Sequence, residues 1–225
     1  MNDNVGNGID SLKKTCFVFC HGFGFDATFW NPLRAYFSNM NTMYLDLGYF
    51  GEMQWMNQLD ESMEYIGIGH SLGLMKLMSL NVSFKRLIGL HGFVDFLGAD
   101  ESLHRRRQRE LSYLIQHVNE SPALTLSQFY QRTGVNFNLP QTGVLNRMKL
   151  LDDLNSLAHA IPVPQDIPLL ILGGIDDKIV PPALIEDNFS AHPQVTIEML
   201  PQVKHGLGHL QPDVVYQTIM RFLEC

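Results

Sequence analysis

Short apolar runs recur along this chain with helix-period patterns between them, and that alternation most narrows what it can fold into. Residues 16–20 (CFVFC) are apolar on both faces, as a strand inside a parallel sheet must be. Further strands are expected at 42–45, 65–69, 87–90, 168–172 (PLLIL) and 195–200. A first helix runs through Phe37, capped by Asp26 or Asn31 with Pro32 in its first turn. Others are expected at 72–80, 103–118, 124–132, 144–160 and 213–223, the last with Val214, Val215, Ile219, Phe222 and Leu223 on its apolar side. Such alternation predicts an α/β protein with a mostly parallel sheet of about six strands.

Residues 93–167 carry no strand signal. A long helical insertion between strands of one sheet sits over their C-terminal ends, where open α/β sheets bind ligands. The stretch 97–160 is therefore expected to be a lid on a single domain spanning 1–225. At about 150 residues per domain the length fits that count. With 45% hydrophobic and 17% charged residues, the chain is globular in type and not disordered. A net charge of -7 makes nucleic acid and anionic lipid poor partners. Cys16, Cys20 and Cys225 are too few for a disulfide scaffold, and Cys16 and Cys20 suit small core positions. No apolar stretch approaches the ~20 residues of a membrane span. The polar N-terminal segment has no signal-peptide character, so the expected location is cytoplasmic.

The chemistry concentrates in residues 69–73, GHSLG, a G-x-S-x-G pentapeptide between an apolar strand and a helical run. That context makes Ser71 a nucleophile candidate, held exposed in a strained strand-to-helix turn whose neighbours must lack a Cβ. A serine hydroxyl needs a base, expected as a histidine after the last strand. His205 and His209 both qualify, and His205 is preferred because it follows the strand after a short loop. The pair is not a helical metal site: Gly206 and Gly208 argue against a helix, and no Glu follows the first His. The acid, which holds the histidine tautomer, should follow 168–172, where Asp176 and Asp177 stand side by side, with Asp177 preferred. The oxyanion requires two backbone N–H groups, assigned to Leu72 and to Phe23 in the loop His21-Gly22-Phe23-Gly24. His21 is expected to hold that loop by a hydrogen bond. Phe93 and Trp30, with Phe25 and Phe96, are candidates to line an acyl pocket, against ordinary core packing for each. This chemistry needs no cofactor and no metal.

HGFG at 21–24, GHSLG at 69–73, GGIDDKIVP at 173–181 and KHGLGHLQP at 204–212 together resemble the α/β-hydrolase superfamily. The superfamily spacing G-x-x-D-x-x-V-P falls on Gly174, Asp177, Val180 and Pro181, and a proline lies seven residues beyond His205 at Pro212. Within the superfamily the chain looks most like the pimeloyl-acyl-carrier-protein methyl ester esterases of biotin synthesis. The shared features are HGFGFDATFW at 21–30, DLGYFG at 46–51, the spacing from Asp177 to His205 and a helical lid. The resemblance implies the α/β-hydrolase fold, here with its usual first two strands short or missing. It also implies a Ser71–His205–Asp177 triad hydrolysing the methyl ester of a carrier-bound acyl chain. Leu74 departs from the pattern, standing where a third small residue often follows the serine.

Residues 101–110 carry four arginines and two glutamates, a net +2 in an acidic chain. Arg105, Arg106 and Arg109, with Arg107, suit docking of an acidic acyl carrier protein, which the resembled family binds through lid arginines. The plain alternative is a solvated helix face with Glu101 and Arg105 as an i,i+4 pair. The expected function is a serine carboxylesterase, with a general short-chain carboxylesterase, a thioesterase or a non-catalytic hydrolase-fold binding module as alternatives.

Overall fold

β1 (Thr15–Cys20) is buried along its whole length, because CFVFC offers an apolar side chain to each face of the sheet. The computed structural model describes residues 14–56, 60–139 and 145–224. β2 (Asn41–Leu45), β3 (Glu64–His70), β4 (Phe84–Leu90), β5 (Leu169–Gly174) and β6 (Val195–Leu200) complete a six-stranded sheet in the order β2-β1-β3-β4-β5-β6. Every pairing is parallel, with Val18 opposite Gly67 and Ile68 opposite Ile88. The chain moves outward from β1 to β2, then returns to the other side of β1 with β3. That reversal opens a crevice at the C-terminal ends of β1 and β3, the ligand position in such sheets.

Phe19 lies within 5.2 Å, ring centre to ring centre, of Trp30, Phe37 and Tyr44. Each such pair adds about 0.5–1.5 kcal/mol beyond the area it buries. Cys16 and Cys20 are buried in β1, and burial pushes the Cys20 thiol well above the ordinary range. Cys225 lies outside the described residues.

The first helix is shorter than its sequence predicts. Only Asn31–Arg34 is α-helical (α1), with tighter turns at Ala27–Trp30 and Ala35–Phe37, and Asp26 rather than Asn31 caps the start by accepting from Thr28 N–H. α2 (Leu72–Met78) follows β3 directly. Between β4 and β5 lie α3 (Glu101–Glu120), α4 (Pro122–Thr133) and α5 (Arg147–Ser156). α3 exceeds its expected bounds because Asp100 caps it, accepting from Ser102 and Leu103 N–H at 3.0 Å each. The expected start of α5 at Val144 lies outside the described residues.

α6 (Pro182–Phe189) is not among the helices expected from the sequence; Pro182 fills its first turn, where its missing N–H costs nothing. α7 (Leu207–Leu210) corrects the expectation that Gly206 and Gly208 exclude a helix there. Gly208 packs so closely that a Cβ would come 2.9 Å from Leu90 and 3.1 Å from Trp30, so tertiary packing overrides weak helix propensity. α8 (Pro212–Leu223) closes the fold. Among the described residues no helix is long and apolar enough to cross a membrane.

Candidate active site

Ser71 joins β3 to α2 at φ 55° and ψ -123°, a conformation that non-glycine residues avoid at a cost of about 1–3 kcal/mol. Its N–H donates to Leu90 O at 2.9 Å, which ties the turn to β4. The turn is tight enough that a Cβ on Gly69 would collide with the backbone of Leu74, and one on Gly73 with the carbonyl of Cys20. The glycines of the pentapeptide are therefore demanded by packing of α2 across β1 and β3.

Asp177 and His205 meet in the loops beyond β5 and β6. His205 Nδ1 donates to Asp177 Oδ2 at 2.7 Å, and both side chains are buried. Asp177 Oδ1 accepts from Ile179 N–H at 2.7 Å and Val180 N–H at 3.0 Å, so its own loop fixes the carboxylate. Burial alone would raise the Asp177 pKa. The His205 and His91 imidazoles outweigh it and hold the carboxyl well below the usual range. With its proton on Nδ1, His205 keeps a lone pair on Nε2, and that atom is buried without a hydrogen-bond partner among the described residues. Asp176 is exposed, and His209 donates from Nδ1 to Phe29 O at 3.1 Å. The structure thus brings Asp177 and His205 together and leaves Asp176 and His209 elsewhere.

The loop after β1 packs against the serine: a Cβ on Gly22 would lie 3.1 Å from Ser71 Cβ. His21 braces this loop, donating from Nδ1 to Gly22 O at 2.9 Å and accepting Leu47 N–H on Nε2 at 3.1 Å. Tyr130 of α4 donates its hydroxyl proton to Gly24 O, tying the helical insertion to the same loop. Phe23 is buried, its ring 5.6 Å from Phe129 and 5.8 Å from Tyr49. Leu72 is the first residue of α2.

Two buried histidines near this centre have no assigned role from the sequence. His70 Nε2 donates to His205 O at 2.8 Å, and the two rings are 4.9 Å apart. Burial, then the neighbouring His205 and His91, holds His70 well below the ordinary histidine pKa. His91 follows β4, with Nδ1 2.7 Å from Asp177 Oδ2. Its only sequence signal is a histidine directly beyond an apolar strand, where crevice residues gather. His91, Asp177 and His205 place their donor atoms within 4.8 Å of one another, a set of metal-ligand type. The Nδ1 proton that His205 gives to Asp177 occupies the lone pair a metal would need there.

Trp30 is fully buried between Phe19 and Phe29, 5.2 and 5.0 Å from their rings, which is core packing. Phe93 is buried 5.2 Å from Phe96. Arg105 and Arg106 are exposed and pair with Glu101 at 3.4 Å and Glu110 at 3.0 Å. Arg109 is exposed on the same helix, its Nε donating to Arg105 O. Arg107 departs from this cluster: it is buried, donates to Phe96 O and Ile179 O, and lies over the Phe96 ring. A cavity of about 320 Å³ opens between α3 and α4, walled by Phe96, Leu111, Leu114, Phe129 and Ile179. Arg109, Arg132 and Lys178 also line it.

No protein-family model matches the chain, and no curated protein sequence does. Solved structures match over nearly its whole length. The esterase from Exiguobacterium antarcticum superposes with a TM-score of 0.75 at 12% identity, covering 95% of this chain and 93% of its own. A thermophilic esterase from Thermogutta terrifontis gives 0.68 at 19% identity, covering 94% and 90%. A mutant epoxide hydrolase from Bacillus megaterium gives 0.69 at 17% identity, covering 93% of each. Together with the parallel sheet and its elbow at Ser71, these neighbours define the fold as that of the α/β-hydrolases.

Proposed function

We propose that the chain is a hydrolase of carboxylic esters that uses Ser71, His205 and Asp177. One observation carries this reading: His205 Nδ1 is held on Asp177 at 2.7 Å while its buried Nε2 lacks a partner, and its carbonyl is bonded by His70, the residue next to Ser71 on the strained elbow. In the reaction, Ser71 Oγ attacks the ester carbonyl and Nε2 takes its proton. The Phe23 and Leu72 N–H groups receive the oxyanion. Collapse expels the alcohol, which takes the proton from Nε2. Water then attacks the acyl-enzyme and loses a proton to Nε2, and collapse breaks the ester to Ser71, whose Oγ takes that proton back as the acid departs.

The favoured substrate is the methyl ester of a carrier-bound acyl chain of the pimeloyl type, which places the enzyme in cytoplasmic biotin synthesis. The helical segment 97–160 serves as the lid, and the apolar wall of the α3–α4 cavity suits an alkyl chain. Arg105, Arg106 and Arg109 are the surface offered to an acidic carrier, the glutamate partners of Arg105 and Arg106 being exposed and worth little. Phe93 and Trp30 act from behind, as packing for the residues that meet substrate.

Ser71→Ala is expected to abolish p-nitrophenyl ester turnover and fluorophosphonate labelling. Retained turnover would remove the serine from the mechanism. A panel of free methyl esters, thioesters and carrier-linked esters separates the favoured substrate from a general carboxylesterase or a thioesterase.

A further inference from the structure

His91 stands in a conformation and a contact that packing alone does not require. It lies at φ 52°, which bulky residues rarely adopt, and its N–H donates to Leu172 O at 2.7 Å. The ring is wholly buried, 5.2 Å from the His205 ring and 6.4 Å from the His70 ring. Nδ1 approaches Asp177 Oδ2 at 2.7 Å, too obliquely for a formed hydrogen bond, and neither ring nitrogen has a hydrogen-bond partner among the described residues. His205 Nδ1 reaches the same oxygen at the same distance.

We propose that His91 is a positioning residue, which shares Asp177 Oδ2 with His205 and thereby sets how strongly the carboxylate holds the proton-accepting ring. The proposal rests on the esterase reading above. A nitrogen lone pair 2.7 Å from a carboxylate oxygen is repelled and an N–H is attracted even at an oblique angle, so the His91 proton belongs on Nδ1. Burial outweighs the opposing pull of Asp177 and, with the charge of His205, favours the neutral form of His91. Asp177 then accepts from Ile179 and Val180 on Oδ1 and from His205 on Oδ2, while the His91 Nδ1–H lies in close, oblique contact with that same Oδ2.

Each added donor draws charge from the carboxylate and weakens its stabilisation of an imidazolium at His205. The groups facing this centre are His70 from β3, His205, and Arg107 of α3, whose charge reaches Asp177. Asp177 is the carboxylate among them, so loss of the His91 donor is felt there.

The experiment compares His91→Phe, which removes the donor, with His91→Asn, which supplies an amide N–H near the Nδ1 position and tolerates positive φ. Two readouts are taken: the acid limb of kcat/KM for a p-nitrophenyl ester, and the NMR titration of the His205 ring in a Ser71→Ala background. Phenylalanine should move both upward by about one pH unit, and asparagine should keep both at the parent position. A lower kcat in His91→Phe with an unmoved limb and an unmoved titration would reduce His91 to packing and overturn the proposal. So would an equal shift in His91→Asn. If circular dichroism shows that phenylalanine prevents folding, His91→Leu carries the same expectation. The NMR arm needs no turnover, so a parent without esterase activity would sink the functional reading while His91 is still judged on the titration.

Discussion

Arg107 Nη1 and Nη2 each lie 3.3 Å from the carbonyl oxygen of Ile179, so helix α3 grips the loop that carries Asp177 two residues earlier. The same guanidinium donates to Phe96 O at 3.2 Å and covers the Phe96 ring.

Arg107→Met should therefore separate the insertion from the acid loop. Thermal unfolding should show a loss of about 1–3 kcal/mol, the usual cost of stranding buried acceptors. Ester hydrolysis should show kcat falling several-fold with a smaller change in KM, because the Asp177 loop loosens. Arg105→Ala, on the exposed side of the same helix, should leave both quantities near the parent values; equal losses in the two variants would contradict the grip.

Asp153 on α5 is buried and accepts from Lys76 at 2.6 Å, Lys149 at 2.7 Å and Tyr49 OH at 2.6 Å. Burial alone would raise its pKa, but these partners prevail and hold it below the ordinary 3.8. A depressed folded-state pKa stabilises the fold above the unfolded value, and that contribution disappears as pH falls from about 4 through the folded value. Asp153→Asn should cost about 2–3 kcal/mol at pH 7, the lower side of a broken buried pair because both lysines are partly solvated. Its stability should also fall less steeply than the parent's on acidification below pH 4. Denaturant titrations at pH 7, 4 and 3 read both effects, and parallel curves for the two proteins would refute the assignment.

Asp177→Asn should lower kcat/KM by about 10³–10⁴-fold, since an amide offered to Nδ1 no longer holds the proton there. Asp176→Asn should leave it within about twofold of the parent, because that side chain is exposed and solvated. Steady-state kinetics on one ester substrate suffices, and a reversed order would move the acid to Asp176.

The strands were legible because each must fill both faces of a covered sheet, and CFVFC or PLLIL has no other good use. Ser71 was legible through its glycines, whose absence of Cβ is a steric need written into the chain. Asp177 and His205 followed from strand order. Arg107 was hidden among four arginines, although it shares the inward stripe of Leu111, Leu114 and Val118 at helical spacing, while Arg105, Arg106 and Arg109 do not. Trp30 is one of four aromatics whose sequence fits either a pocket wall or core packing, and only the fold shows it packed against Phe19. The place of His91 beside Asp177 could not be read, because the two lie more than eighty residues apart and only the pairing of β4 with β5 brings them together.

The bond from the Tyr130 hydroxyl to Gly24 O makes the helical insertion a structural member of the loop beside Ser71. A swing of α4 away from the sheet would pull on the backbone next to the serine, so admitting a bulky guest and cradling its carbonyl are mechanically linked. Transplanting a different insertion onto this sheet would accordingly succeed only where the incoming helix brings its own hydroxyl to that carbonyl.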